Sequence, residues 1–100
     1  MHVRVATVQI QSGKMQEAID IYDNSVAPAI KTQKGFQWAY LLTDASSGKL
    51  LSITVWESEA DMLESGSDSG YVKEQMAKIG VMFAGPPELD HYELSSENSR

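Results

Sequence analysis

An α+β sandwich, one antiparallel sheet backed by helices, is the fold class this sequence predicts, and three observations carry it. Residues 36–59, FQWAYLLTDASSGKLLSITVWESE, read as a β-hairpin running straight into a helix. Residues 3–11, VRVATVQIQ, alternate and are rich in β-branched side chains, as a half-buried strand requires. On either side of the hairpin lie segments whose apolar residues recur at three- and four-residue steps, the mark of amphipathic helices. A chain of 100 residues forms one domain, here expected over residues 1–95 with a polar tail at 96–100.

The first strand ends at Ser12-Gly13. A helix is expected from Lys14 to Lys31, with Met15, Ile19, Tyr22, Val26 and Ile30 on one face. Pro28 lacks an N–H and should disturb its last turn. The hairpin strands are expected at 36–44 and 49–57 about a Ser-Ser-Gly turn. Pairing Thr43 with Leu50 sorts their side chains onto two unlike faces. Phe36, Trp38, Tyr40 and Leu42 join Leu51, Ile53 and Val55 on a densely apolar face. Gln37, Ala39, Leu41 and Thr43 join Leu50, Ser52, Thr54 and Trp56 on a smaller, mildly polar one able to line a cavity.

Ser58 is a good N-cap, and Asp61 three residues on completes an approximate capping box for a short helix through about Glu64. The Ser/Asp/Gly run at 65–70 breaks the chain, either as a plain interruption or as a lid over a pocket. A second helix carries Val72, Met76, Ile79 and Phe83 at helical spacing with Tyr71 alongside, and Gly85-Pro86-Pro87 stops it. Leu89 to Ser95 forms a last short strand. The order β-α-β-β-α-α-β predicts a ferredoxin-like sandwich with helices over one sheet face.

Composition narrows the function classes. The net charge is −6 and the Lys and Arg residues form no basic stripe, which argues against nucleic acid and anionic membranes as partners. With no cysteine there is no disulfide, thiol nucleophile or thiolate metal site. The start, Met1-His2-Val3-Arg4, leads directly into strand residues and no long apolar helix follows, so a cytoplasmic location is expected. The apolar hairpin face exceeds the few hundred Å² that a monomer usually exposes, so a homodimer joined through its sheet faces is expected.

The chain resembles antibiotic-biosynthesis-monooxygenase-type domains of the dimeric α+β barrel group. The likeness runs over about residues 3–94 and rests on Gly13-Lys14, Gly35-Phe36, Val55-Trp56-Glu57-Ser58-Glu59, the Gly-Pro-Pro turn and Tyr92-Glu93. It implies a dimer packed sheet against sheet, with a pocket in each chain between sheet and helices. It also implies oxidation of a small aromatic or quinol-like compound by dioxygen, with no flavin, haem or metal cofactor. Pocket groups would then deprotonate a phenol, hold its anion and exclude water. The strand tryptophan of such enzymes faces the pocket, a place Trp56 matches, while Ser52 stands where some carry an asparagine. A haem-degrading branch uses Asn, Trp and His at stretches that here contain none of them.

Each candidate has a plainer reading beside the chemical one. Trp56 is either a stacking wall for substrate or core packing. Trp38 and Tyr40 belong to the dimer face. Gln37, Ser52 and Thr54 from the strands are expected to line the pocket, and Tyr22, Met62, Tyr71 and Met76 to close it from the helices. Tyr22 and Tyr71 offer phenols as acid or hydrogen-bond donor, or simply pack with their hydroxyls at an edge. The methionines fill space. His91 has the intrinsic pKa of a general base, yet a lone histidine on a strand more often sits at a rim. Trp56, Tyr71 and His91 are thus the catalytic candidates. Asp90, His91 and Glu93 alternate across a strand and do not converge on a metal. Ser12-Gly13-Lys14 and Ser47-Gly48-Lys49 lack the phosphate-loop frame and read as turns.

Overall fold

The computed structural model describes residues 1–66 and 69–100. In chain order it contains β1 (His2–Gln9), α1 (Met15–Ile21), a π-helical turn (Tyr22–Val26), α2 (Ala27–Lys31), β2 (Phe36–Asp44), β3 (Lys49–Trp56), α3 (Glu59–Glu64), α4 (Gly70–Ile79), a 3₁₀ turn (Gly80–Met82) and β4 (Glu88–Glu93). Residues 67 and 68 of the Ser/Asp/Gly run expected as a break or lid lie outside the described residues. The four strands make one antiparallel sheet in the order β2-β3-β1-β4, the ferredoxin-like arrangement.

The hairpin register is the one that turn chemistry predicts, with Thr43 opposite Leu50. Asp44 Oδ1 accepts from the Ser46 N–H at 3.1 Å and its hydroxyl at 2.7 Å, and Gly48, at φ +75°, closes the turn. These hydrogen bonds, chiefly from Ser46 and Ser47, hold the Asp44 carboxyl below its usual value. At the other end of the hairpin the register shifts. Phe36 pairs with Trp56, and Trp38 with Val55, so Gln37 is an extra residue. The bulge moves Phe36 off the apolar face expected for it. Its ring instead meets Trp56 edge-on, with centroids 5.7 Å apart.

The first helix departs from a regular spiral just before Pro28. With that N–H missing, the Ala27 N–H reaches back to the Tyr22 carbonyl, a π-type bond. In a regular α-helix, residues four apart drift by about 40° per step. The wider π turn takes up that drift, so Tyr22, Val26 and Ile30 all face one cavity. Ala18 is the other fully buried residue of this face, where Ile19 was expected, and Ile19 is half-buried. Ser58 caps α3 by accepting from the Asp61 N–H at 3.1 Å.

Two apolar clusters lie between sheet and helices. One holds Tyr22, Ile30, Trp56, Met62 and Ile79, and the other Val8, Ile10, Ala18 and Leu50. Strand alternation puts Trp38, Tyr40, Leu42, Leu51, Ile53 and Val55 on the opposite sheet face, where Tyr40 and Leu42 are about half exposed. Among the described residues no helix is long and apolar enough to cross a membrane.

Candidate functional site

The sheet face beneath the helices is paved with small side chains where β1 and β3 run side by side. Ala6 is paired with Ser52, and Arg4 with Thr54. Larger aliphatic residues there would meet the helices, and in their absence a cavity of about 210 Å³ opens. Its floor includes Arg4, Ala6, Val8, Ser52 and Thr54, and its roof includes Tyr22, Val26, Tyr71, Gln75 and Ile79. The cavity touches both apolar clusters and is partly open to the surface, with exposed Met76 and Leu89 in its lining. A dry apolar void of about 150 Å³ accepts benzene, so this one has room for a substituted ring or a fused pair.

Five of the residues expected at the pocket line this cavity together, namely Ser52, Thr54, Tyr22, Tyr71 and Met76. Trp56, Gln37 and Met62 do not. Trp56 is wholly buried, its N–H donating to Thr54 Oγ1 at 2.9 Å and the Arg4 guanidinium lying 5.8 Å from its ring centroid. With Phe36 on its edge as well, the indole is enclosed by protein groups. Met62 is buried in the same cluster, and Gln37 sits at the bulge. His91, paired with Arg4 across β1 and β4, is exposed and lines a second cleft at that sheet edge, which shares Arg4 and Leu89 with the cavity.

The polar groups in the cavity differ in how far they are already engaged. Arg4 donates to the Ser65 carbonyl at 3.1 Å and to the Met62 carbonyl, satisfying carbonyls at the buried C-terminal end of α3. Tyr71 donates to the Ser65 carbonyl at 3.1 Å, and Gln75 Oε1 accepts from the Ser25 hydroxyl at 2.7 Å. Thr54 is occupied by Trp56. Tyr22 stands apart, because its hydroxyl is buried and has no hydrogen-bond partner among the described residues. Burial raises its pKa above the usual phenol value of 10.0, the Ser52 hydroxyl partly offsetting this and Asp23 and Tyr71 adding to it. Ser52 is thus near enough to be felt, although the pair falls short of hydrogen-bond geometry.

Sequence reasoning missed Arg4 and Gln75. Both carried a signal. Arg4 shares the alternation of Ala6 and Val8 in β1, and Gln75 lies midway between Tyr71 and Ile79 on α4. Among the described residues no cluster of His, Cys, Asp or Glu is arranged to hold a metal ion.

The family profile described as "Antibiotic biosynthesis monooxygenase" matches residues 1–77. An uncharacterized protein of Mycobacterium tuberculosis, known from two strains, is 26% identical over 96 residues, and the chain spans 42% of its length. The fold is similar to that of an antibiotic biosynthesis monooxygenase-type protein from Bordetella bronchiseptica, with TM-score 0.84, 17% identity and coverage of 95% of this chain and 97% of that one. A protein of the same description from Caulobacter crescentus gives TM-score 0.78, 19% identity and coverage of 95% and 90%.

Proposed function

Because the chain belongs to the antibiotic biosynthesis monooxygenase family, we propose that its cavity takes up a small aromatic or quinol-like compound, which dioxygen oxidises there without flavin, haem or metal. The observation that carries this reading is the apolar cavity itself, with two phenols among its lining groups. The substrate supplies the electrons. At a reacting CH₂ carbon, four electrons pass to dioxygen, one oxygen atom becomes the product carbonyl and the other leaves as water. The protein's part is to exclude bulk water and hold the substrate anion. Tyr71 is the catalytic candidate that touches the substrate. Trp56 supports the floor through Arg4 and Thr54, and His91 stands at the edge cleft.

Binding without turnover is the second reading, and one observation favours it. No histidine or carboxylate lines the cavity among the described residues, so a bound phenol meets no ordinary base. Oxygen uptake with anthrols, naphthols and quinols in metal-free buffer separates the two. The oxygenase reading expects uptake by the wild type and its loss in Ser52→Leu, which fills the cavity. Uptake should also follow the substrate's own phenol pKa. Tight binding of these compounds with no oxygen consumed would leave the binding reading standing.

A second copy of the chain is the proposed partner, seated on the open sheet face. Tyr40 at 53% and Leu42 at 50% exposure lie there beside Trp38, Leu51 and Ile53, an apolar surface that a sheet-to-sheet dimer would cover.

A further inference from the structure

We propose that the Tyr22 hydroxyl is the specificity-determining donor of this cavity, made to hydrogen-bond one carbonyl or phenolate oxygen on an otherwise apolar, two-ring ligand. Three features of the structure bear on it. Tyr22 is only 6% exposed, and among the described residues its buried hydroxyl has no partner in hydrogen-bond geometry, Ser52 being the nearby hydroxyl. An orphaned buried hydroxyl costs about 1–3 kcal/mol, so a fold that keeps one gains by satisfying it from outside. The side chain is part of the cavity lining, and its covered hydroxyl lies beside Ser52, another lining residue, so a ligand that displaces this contact reaches it. Finally, the π turn that begins at Tyr22 is a local departure from helical geometry, of the kind concentrated at functional sites.

The chemistry of the ligand follows from the surroundings. Val8, Val26, Ile30, Leu50 and Ile79 leave most of the wall apolar, so the ligand is largely hydrocarbon. The other cavity hydroxyls and the guanidinium already serve protein acceptors or donors, except Ser52, which lies close to Tyr22. Gln75 accepts from Ser25 and keeps its amide N–H₂ as the other lining donor, and the buried, unpaired hydroxyl draws the ligand's polar atom to the Tyr22–Ser52 end. Burial keeps the Tyr22 phenol protonated, so it donates, and the ligand atom it meets is an acceptor. A neutral donor in an apolar site also favours an oxygen that gains negative charge.

The inference rests on the cavity being a ligand site, but it does not require turnover. It is tested with 1-tetralone and tetralin, two fused-ring probes that differ at one carbonyl, titrated into wild-type protein and Tyr22→Phe by calorimetry. The wild type should prefer tetralone by about tenfold, the size expected for one buried hydrogen bond. Tyr22→Phe should reduce that preference to near unity while leaving tetralin affinity unchanged, which also shows that the variant is folded. Equal affinity of the wild type for both probes, binding of neither, or a preference that survives in Tyr22→Phe would overturn it. Oxygen uptake with the naphthol panel, measured on the same two proteins, keeps the two readings apart. A lost preference without oxygen consumption sinks the oxygenase and spares Tyr22. Oxygen consumption with the tetralone preference intact in the variant does the reverse.

Discussion

Tyr22 and Trp56 are both buried aromatics with a polar tip, and they show how differently one core treats two such tips. The Trp56 N–H is satisfied two residues away by Thr54. Thr54→Val keeps the shape and removes the acceptor, leaving a buried indole N–H unpaired at a cost of about 1–3 kcal/mol. In a domain of this size that lowers the melting temperature by about 4–8 °C per kcal/mol, which thermal denaturation reads directly. The Tyr22 hydroxyl has no such partner, and its raised pKa has a sign that can be checked. The unfolded chain ionises this phenol near 10.0 and the folded chain only above that. Stability present below pH 10 is therefore lost progressively as pH climbs through the raised value. Absorbance of the folded protein at alkaline pH should show a late-titrating tyrosine that Tyr22→Phe removes. An unchanged titration curve in the variant would place the buried phenol elsewhere.

At the scale of elements, turns and caps were legible in the sequence and departures from regularity were not. Asp44, Ser46, Ser47 and Gly48 name their turn, and Ser58 with Asp61 names the start of α3. The bulge at Gln37 was invisible, because a period of two carries no mark of an inserted residue until a partner strand counts against it. It turned Phe36 toward Trp56, and with Arg4 the two enclose the indole that the sequence offers as a pocket wall. The π turn left only a trace in Pro28. Gly35, just ahead of the bulge, has φ +80°, and a Cβ there would collide with the Asp61 side chain at the start of α3. Gly35→Ala is expected to cost at least the roughly 1–3 kcal/mol of a strained backbone residue. Denaturant unfolding measures it, and a loss under 0.5 kcal/mol, about the scatter of ordinary surface substitutions, would mean the junction relaxes freely.

For the whole molecule, the sheet has one face roofed by helices and one face open, and the proposed dimer covers the second. Trp38→Glu places a charge in the middle of that face and should give monomers by sedimentation at micromolar concentration, while wild type sediments as a dimer. A wild-type monomer, or a Trp38→Glu dimer of full stability, would reject this arrangement. The strand order β2-β3-β1-β4 has a different consequence, one in time rather than in space. β2 and β3 find each other across a four-residue turn, a microsecond-scale event. β1 pairs with Lys49–Trp56 on one side and Glu88–Glu93 on the other, so both its edges wait for residues made long after it. Until those residues are made, this alternating, valine-rich strand has both edges bare, and Arg4 is the one charge within it. The same guanidinium that later caps α3 is the kind of charge that disfavours strand-to-strand pairing at a bare edge.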